Sequence, residues 1–439
     1  MNRRGFLGVL GAAATGQYSA KAGPTHKSQT SQTRLAGMSL TELRRFYQRE
    51  LFDIFLPFWD KYGIDHEQGG FLCNLDYDGT LANSEKFVRF QGRGIWVYSF
   101  LYNHFGKNRR HLEIARKTKD FLLKHAPLED GRWATWLTRD GIPVGPATDF
   151  HAIFFGAEGL QEYASAAQDE NALQSALHLL KMVFRNIGRP DFQIDGLTAP
   201  GLRDQSVWMK GLRVATKILR RWNDPEVSAI AERCVDAIIH RHYNPDIGLN
   251  NEVLNFDFSR PKEHANKCLI GVAIEALSTV MDEADRRNDR RLWGVAADRV
   301  RRHLEVGWDW AFGGLAEWVN VDQGCYEWPP EHPTGTDLEI RATGEYFYLK
   351  SLWALNEALI ATLDVFERRG DTWAADFFGM MHRLVEEKYS QRRRGLPGYM
   401  LFGDRRLTFQ PHVRRQDNYH PPHQMMLNLL TLDRMLAGT

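Results

Sequence analysis

The apolar positions of this chain fall into helix-length segments, and between them short glycine-punctuated stretches with a different rhythm recur six times. These stretches begin near Gly69-Gly70, Gly131, Gly196, Gly248, Gly313-Gly314 and Gly395. Most couple a Gly or Gly-Gly to an alternating apolar and polar run, often closed by Asp-Gly or Gln-Gly, which is the chemistry of a two-strand turn. Their spacing of about 50 to 80 residues is too long for one helix and suits a helix pair with its loop. The stretches at Gly196 and Gly395 fit the pattern least well. Six helical hairpins with six short strand excursions predict an all-α fold. It would be a closed ring of inner and outer helices, with a funnel at one end where the loops build a site.

The opening of the chain has a different character. Asn2-Arg3-Arg4-Gly5-Phe6-Leu7-Gly8 precedes a modest apolar run through Ala14, and Ala20-Lys21-Ala22 stands before Gly23. Paired arginines, a weak hydrophobic region and an A-x-A site are similar to a twin-arginine export signal. We therefore expect a signal peptide over 1–22 and a periplasmic or secreted protein. The apolar run is too short to span a bilayer, and no other segment is long and apolar enough. Residues 23–38 are mostly small and polar and read as a linker. Ser39-Leu40-Thr41-Glu42 has the form of a capping box, so one catalytic domain is expected over 39–439.

Composition narrows the partner. Lys plus Arg number 56 against 55 Asp plus Glu, which leaves no electrostatic footprint for nucleic acid or an anionic membrane. A small molecule of low charge is the expected ligand, and the chain itself is expected to be a monomer or homodimer. Aromatic residues make up 12% of the chain, enough for some to line a pocket beyond those that pack the core. Cys73, Cys234, Cys268 and Cys325 have no metal-ligand spacing and are expected as buried thiols. Phosphate-loop, dinucleotide and zinc-helix motifs are absent from the sequence, so no cofactor and no metal are expected, and the chemistry falls to side chains.

Four segments place polar groups inside apolar helical patterns. Arg93 follows Gln91-Gly92 amid Phe90, Ile95 and Trp96, and its planar fork suits ligand oxygens. Glu275 is the only charge in a long apolar run, where a carboxylate is costly unless paired. Lys350 and Glu357 are two turns apart, as if on one helical face near Trp353. Asn418-Tyr419-His420-Pro421-Pro422-His423 is the fourth. For each segment a purely structural role remains open.

Taken together, these segments resemble the N-acylglucosamine 2-epimerase family from about Leu40 onward. Lys86-Phe87-Val88 with Gln91-Gly92-Arg93-x-x-Trp96 is similar to that family's first repeat, and Gly307-Trp308-Asp309 with Phe312-Gly313-Gly314-Leu315 to its fifth. Lys350-x-x-Trp353-x-x-x-Glu357-Ala358-Leu359 and Tyr419-His420-x-Pro422 match further elements, in the family's order. The resemblance implies an (α/α)6 barrel and an isomerase acting on a free monosaccharide or the reducing end of a disaccharide. It also implies Arg93 on sugar oxygens, Glu275 and Glu357 orienting bases and hydroxyls, and His420 moving a proton. Trp96, Trp353, Lys350 and His423 are then candidate substrate contacts.

One departure matters most. The family's second histidine belongs three residues before the first glutamate, where this chain has Val272, which cannot transfer a proton. His264, eight residues before Val272, is the candidate replacement. Other departures are Leu352 for one of a pair of tryptophans, His423 where the family tends to have Arg, and a longer loop from Cys325 to Thr343. Epimerisation beside a carbonyl naturally uses two opposed groups, whereas aldose-ketose isomerisation can use one. Both chemistries therefore stay open, as do a sugar-binding protein without catalysis and a glycoside hydrolase or lyase on the same ring.

Overall fold

A computed structural model describes residues 33–194, 196–321 and 349–438. The expected signal segment, Cys325 and the loop from Cys325 to Thr343 lie outside the described residues. Structure begins earlier than the expected boundary, because β1 (Arg34–Leu35) and β2 (Met38–Ser39) form a hairpin inside the stretch read as linker. Leu35 carries that hairpin into the core at 1% exposure. Ser39 then caps the first helix as its sequence suggests: its Oγ accepts from the Glu42 amide at 3.2 Å, and the Glu42 carboxylate accepts from the Ser39 amide at 2.8 Å.

Helices alternate between two kinds. In chain order they are α1 (Leu40–Arg49) with its continuation α2 (Leu56–Phe58), α3 (Val88–His104), α4 (Arg109–His125), α5 (Ala152–Ala167), α6 (Glu170–Asn186) and α7 (Gln205–Leu219). There follow α8 (Pro225–Asp236), α9 (Ile270–Arg287), α10 (Arg290–Gly307), α11 (Leu352–Arg369), α12 (Thr372–Leu384) and α13 (His420–Ala437). Helices α3, α5, α7, α9, α11 and α13 are buried on nearly every face over their first turns and form the inner ring. The others present one apolar stripe to it and a charged face to water. Each inner helix packs on the next in the order α3, α5, α7, α9, α11, α13, and α13 closes on α3 and α1. This is the expected (α/α)6 barrel.

Inner helices α3 and α5 make the closest approach. A Cβ on Gly92 would lie 2.5 Å from the Phe155 backbone, and one on Gly159 would lie 2.4 Å from the Gly92 carbonyl oxygen. Glycine is required there so that the two backbones can touch.

Strands gather at the end of the ring where the inner helices start. β3 (Lys86–Phe87) leads into α3 and pairs with β4 (Trp136–Leu137), which continues to β5 (Pro143–Val144). β6 (Leu202–Asp204) leads into α7, and the following excursion supplies β7 (Tyr243–Asn244), β8 (Leu249–Asn250) and β9 (Val253–Asn255). β7 pairs with β8, and β9 returns to β6. β10 (Lys267–Leu269) leads into α9 and pairs with β11 (Trp318–Asn320), and β12 (Lys350–Ser351) leads into α11 and pairs with β13 (Phe402–Gly403).

The expected two-strand turns are found in two stretches, β4 with β5 and β7 with β8, and are corrected for the others. The first, fifth and sixth stretches carry only isolated bridges, such as Ile64 to Phe71 or Trp308 to Leu315, and further ladders join one stretch to the next. A strand entering an inner helix lies beside the excursion of the neighbouring hairpin, and its buried backbone groups find partners there. The stretch at Gly196 has an arginine in the bracing role. Arg203 is 1% exposed and donates to the carbonyls of Ile187, Arg189 and Phe192 at 2.7, 2.6 and 2.9 Å.

Candidate active site

The first two turns of α9, α11 and α13 bring three chemically active side chains together near the end of the ring where the inner helices start. Donor atoms of Glu275, Glu357 and His420 all lie within 4.8 Å of one another, and all three residues are buried. His420 opens α13, and its orientation is fixed from one side. Asp417 Oδ2 lies 2.5 Å from His420 Nδ1, while Asp417 Oδ1 accepts from the Tyr419 amide at 2.8 Å. Burial would raise the Asp417 carboxyl, but the His420 and Arg93 charges and these hydrogen bonds outweigh it and hold the acid far below the usual range. An ionised Asp417 can only accept, so Nδ1 carries a hydrogen and Nε2 is the nitrogen left for proton transfer.

Each glutamate has a partner of its own. His423, one turn into α13, places Nδ1 3.1 Å from Glu357 Oε1. Burial pushes Glu357 up, yet His423, Arg213 and His420 together hold it below the ordinary carboxylate value. Arg213 on α7 forms an ion pair with Glu275 and donates to the Tyr419 hydroxyl at 2.8 Å. The Tyr419 hydroxyl donates in turn to Glu158 on α5 at 3.0 Å. This chain of Arg213, Tyr419 and Glu158 crosses the middle of the ring and forms the floor of the site. Glu275, Glu357 and His420 are the donors that a divalent cation would use, and both carboxylates are already engaged, Glu275 by Arg213 and Glu357 by His423.

Arg93 differs from Arg213 in having no hydrogen-bond acceptor among the described residues. It is 8% exposed, its Nε is buried without a hydrogen-bond partner, and its guanidinium lies 4.3 Å from the centroid of the Phe155 ring and 5.2 Å from that of Tyr419. The Gly92 contact with α5 sets that stacking by bringing the two helices together. A buried cation stacked on aromatic rings with unused donors is suited to oxygen atoms of a ligand.

Other sequence candidates are corrected. Lys350 belongs to β12 ahead of the helix and is a strut, not a substrate contact. Its ammonium pairs with Asp309 at 2.9 Å and donates to the carbonyls of Gly313 and Arg405, at 2.7 Å to the latter. Lys86 repeats this arrangement with Asp65 at 3.1 Å and the carbonyls of Gly69 and Arg139, both at 2.7 Å. Trp96 is 1% exposed and braces Tyr419 and His423 edge-on at 5.5 and 5.0 Å, so no face is left for a sugar. His423 acts through Glu357. His264 lies in a short helical turn, Lys262–His264, and is not part of the Glu275, Glu357 and His420 cluster. Trp353 does flank the cavity: its ring is half-buried, 5.8 Å from that of His420, and lies over Gly271.

Sequence reasoning missed Arg213, Asp417 and Glu158. The only available signal was Asp417 three residues before His420, a spacing that lets an acid cap a helix start and hold a histidine on its first turn.

Comparison with known proteins fits this geometry. The profile of the N-acylglucosamine 2-epimerase (GlcNAc 2-epimerase) family matches residues 69–421. The chain belongs to that family. The N-acylglucosamine 2-epimerase of Bos taurus is 27% identical over 365 residues, covering 78% of this chain and 81% of the bovine protein. Among solved structures, a cellobiose 2-epimerase from Bacillus thermoamylovorans superposes with a TM-score of 0.73 at 17% identity, covering 90% of this chain and 100% of that one. A D-mannose isomerase superposes at 0.72 and 13% identity, covering 89% and 98%. Both likenesses establish the fold.

Proposed function

We propose that this protein is a sugar epimerase or isomerase that moves the proton at carbon 2 of a free aldose or of the reducing end of a disaccharide. The observation that carries the reading is the convergence of Glu275, Glu357 and His420, with His420 Nδ1 held by Asp417. The family relatives named as epimerases and the isomerase of the same fold support it. In the open-chain sugar, His420 Nε2 takes the carbon 2 proton, and the electron pair moves onto the carbonyl oxygen to give an enediolate. The unused donors of Arg93 would hold that oxyanion, and Glu275 and Glu357 would accept from hydroxyl groups. Return of a proton to carbon 2 or carbon 1 completes epimerisation or isomerisation.

A hydrolase on the same ring fits less well. It needs a carboxyl kept protonated as the acid, whereas His423 and Arg213 hold Glu357 ionised. The paired Arg3-Arg4 and Ala20-Lys21-Ala22 support export, so the substrate would be an extracytoplasmic sugar.

The test is incubation with mannose, N-acetylglucosamine and cellobiose in deuterated water, with product and label position read by NMR. Wild type incorporates deuterium, and His420→Ala lowers turnover by about a hundredfold or more while the thermal melt is retained. No label in any sugar, or full turnover by His420→Ala, overturns the reading.

A further inference from the structure

Across the ring from His420 stands a lysine that none of the site's ion pairs uses. In the order of the inner helices, α7 is three positions from α13 in either direction, so the two face each other over the cavity. Helices α7 and α9 run parallel, since Arg213 pairs with Glu275 and, further along both, Lys217 pairs with Asp282 at 3.0 Å. Lys210 is one turn before Arg213 just as Val272 is one turn before Glu275, which places Lys210 and Val272 at one level. Lys210 thus lies one turn nearer than Arg213 to the end where the inner helices start.

Among the described residues, six titratable or charged groups face Lys210: Arg89, Asp149, His151, Asp204, Glu252 and Glu275. Its potential anionic partners are already engaged. Asp149 is held by Arg89 at 2.9 Å, Asp204 lies 3.0 Å from His151 Nε2, and Glu275 is paired with Arg213. Burial raises Glu252 well above the ordinary carboxylate value, which disfavours its charged form. The Lys210 ammonium instead lies 5.5 Å from the centroid of Phe155, the ring on which Arg93 stacks. Burial, opposed by Asp204, lowers it to about 8. A lysine in that range exchanges protons readily near neutral pH.

We infer that Lys210 is the second proton-transfer group of the site, acting on the face of carbon 2 opposite His420, so that the reaction is an epimerisation. This inference rests on the proposed function. His420 Nε2 removes the carbon 2 proton and becomes imidazolium. The enediolate then collapses as Lys210 donates an ammonium proton to the other face of the same carbon and becomes a neutral amine. Solvent returns a proton to Lys210 and takes one from His420, which closes the cycle, and the reverse reaction exchanges the two roles.

The test is Lys210→Met with the same three sugars in deuterated water. Epimer formation falls by about a hundredfold or more, while deuterium still enters carbon 2 of the starting sugar with retained configuration, because His420 alone can remove and return a proton on one face. Epimer formed by Lys210→Met at the wild-type rate overturns the inference, as does a folded variant that loses label exchange together with epimer. A wild type that makes ketose without epimer overturns it and leaves the isomerase reading standing. If wild type labels no sugar, the proposed function fails separately, and a second measurement still decides the role of Lys210. After reductive methylation with 13C-formaldehyde, the NMR signal absent from Lys210→Met titrates near pH 8; a midpoint in the ordinary lysine range overturns the inference.

Discussion

At the scale of single residues, the site works through groups that hold other groups. Asp417 fixes which nitrogen of His420 carries the hydrogen. Asp417→Asn retains an acceptor but removes the negative charge that steadies an imidazolium. Turnover is expected to fall by about a hundredfold, with the acid limb of the pH-rate profile moving to lower pH and the melting temperature changing little. An unmoved limb would mean that Asp417 only packs. Arg93, Glu275, Glu357 and His420 were legible because a charge inside an apolar helical run demands an explanation. Arg213 was not, since Lys210 and Lys217 flank it on α7 and make it read as part of a solvated face. Lys350 misled for the opposite reason: its buried carbonyl partners lie 37 and 55 positions away, and no local pattern announces them.

At the scale of elements, Lys86 and Lys350 are duplicate struts, each tying a Gly-Gly turn to the loop of the next hairpin through an aspartate and an arginine. Arg139 reaches Asp65 at 2.9 Å, and Arg405 reaches Asp309 at 3.1 Å. Burial raises both aspartates, but the lysine and arginine hydrogen bonds win and lower each to about 2. Burial also pushes both lysines down, so each strut is a balance between desolvation and pairing. Asp309→Asn leaves the Lys350 charge without a counterion and is expected to cost about 3–5 kcal/mol in denaturant unfolding. Because the folded aspartates titrate below their unfolded values, their stabilisation is complete above about pH 4 and is lost as pH falls toward 2. Wild-type stability should drop steeply through that window, and Asp309→Asn should show a shallower slope. The Gly-Gly turns were visible in the sequence. The ladders between successive stretches were not, because strands of two or three residues carry too little alternation to announce a partner some fifty positions away.

At the scale of the whole molecule, the ring was legible because two kinds of helix alternate. A nearly continuous apolar run such as α9 has to be surrounded, and an amphipathic one such as α4 has to lie outside. The Arg3-Arg4 motif belongs to this scale too, since the twin-arginine route is the address we propose for the finished ring. Replacing both arginines by lysine should leave precursor in the cytoplasm, measured by fractionation and by the N-terminal sequence of the product. Unchanged export, or a mature chain still beginning at Met1, would remove the proposal.

Helix α13 follows every other helix of the ring in chain order, and it carries Tyr419, His420 and His423. During synthesis Glu357 has no His423, Arg213 has no Tyr419, and α3 and α11 stand with a slot between them. The partly made ring is therefore open along one side, and water reaches charged groups that the completed fold will enclose. Desolvation of these groups is deferred until the helix that brings their remaining partners has been made, so a growing chain avoids burying charges whose counterparts do not yet exist.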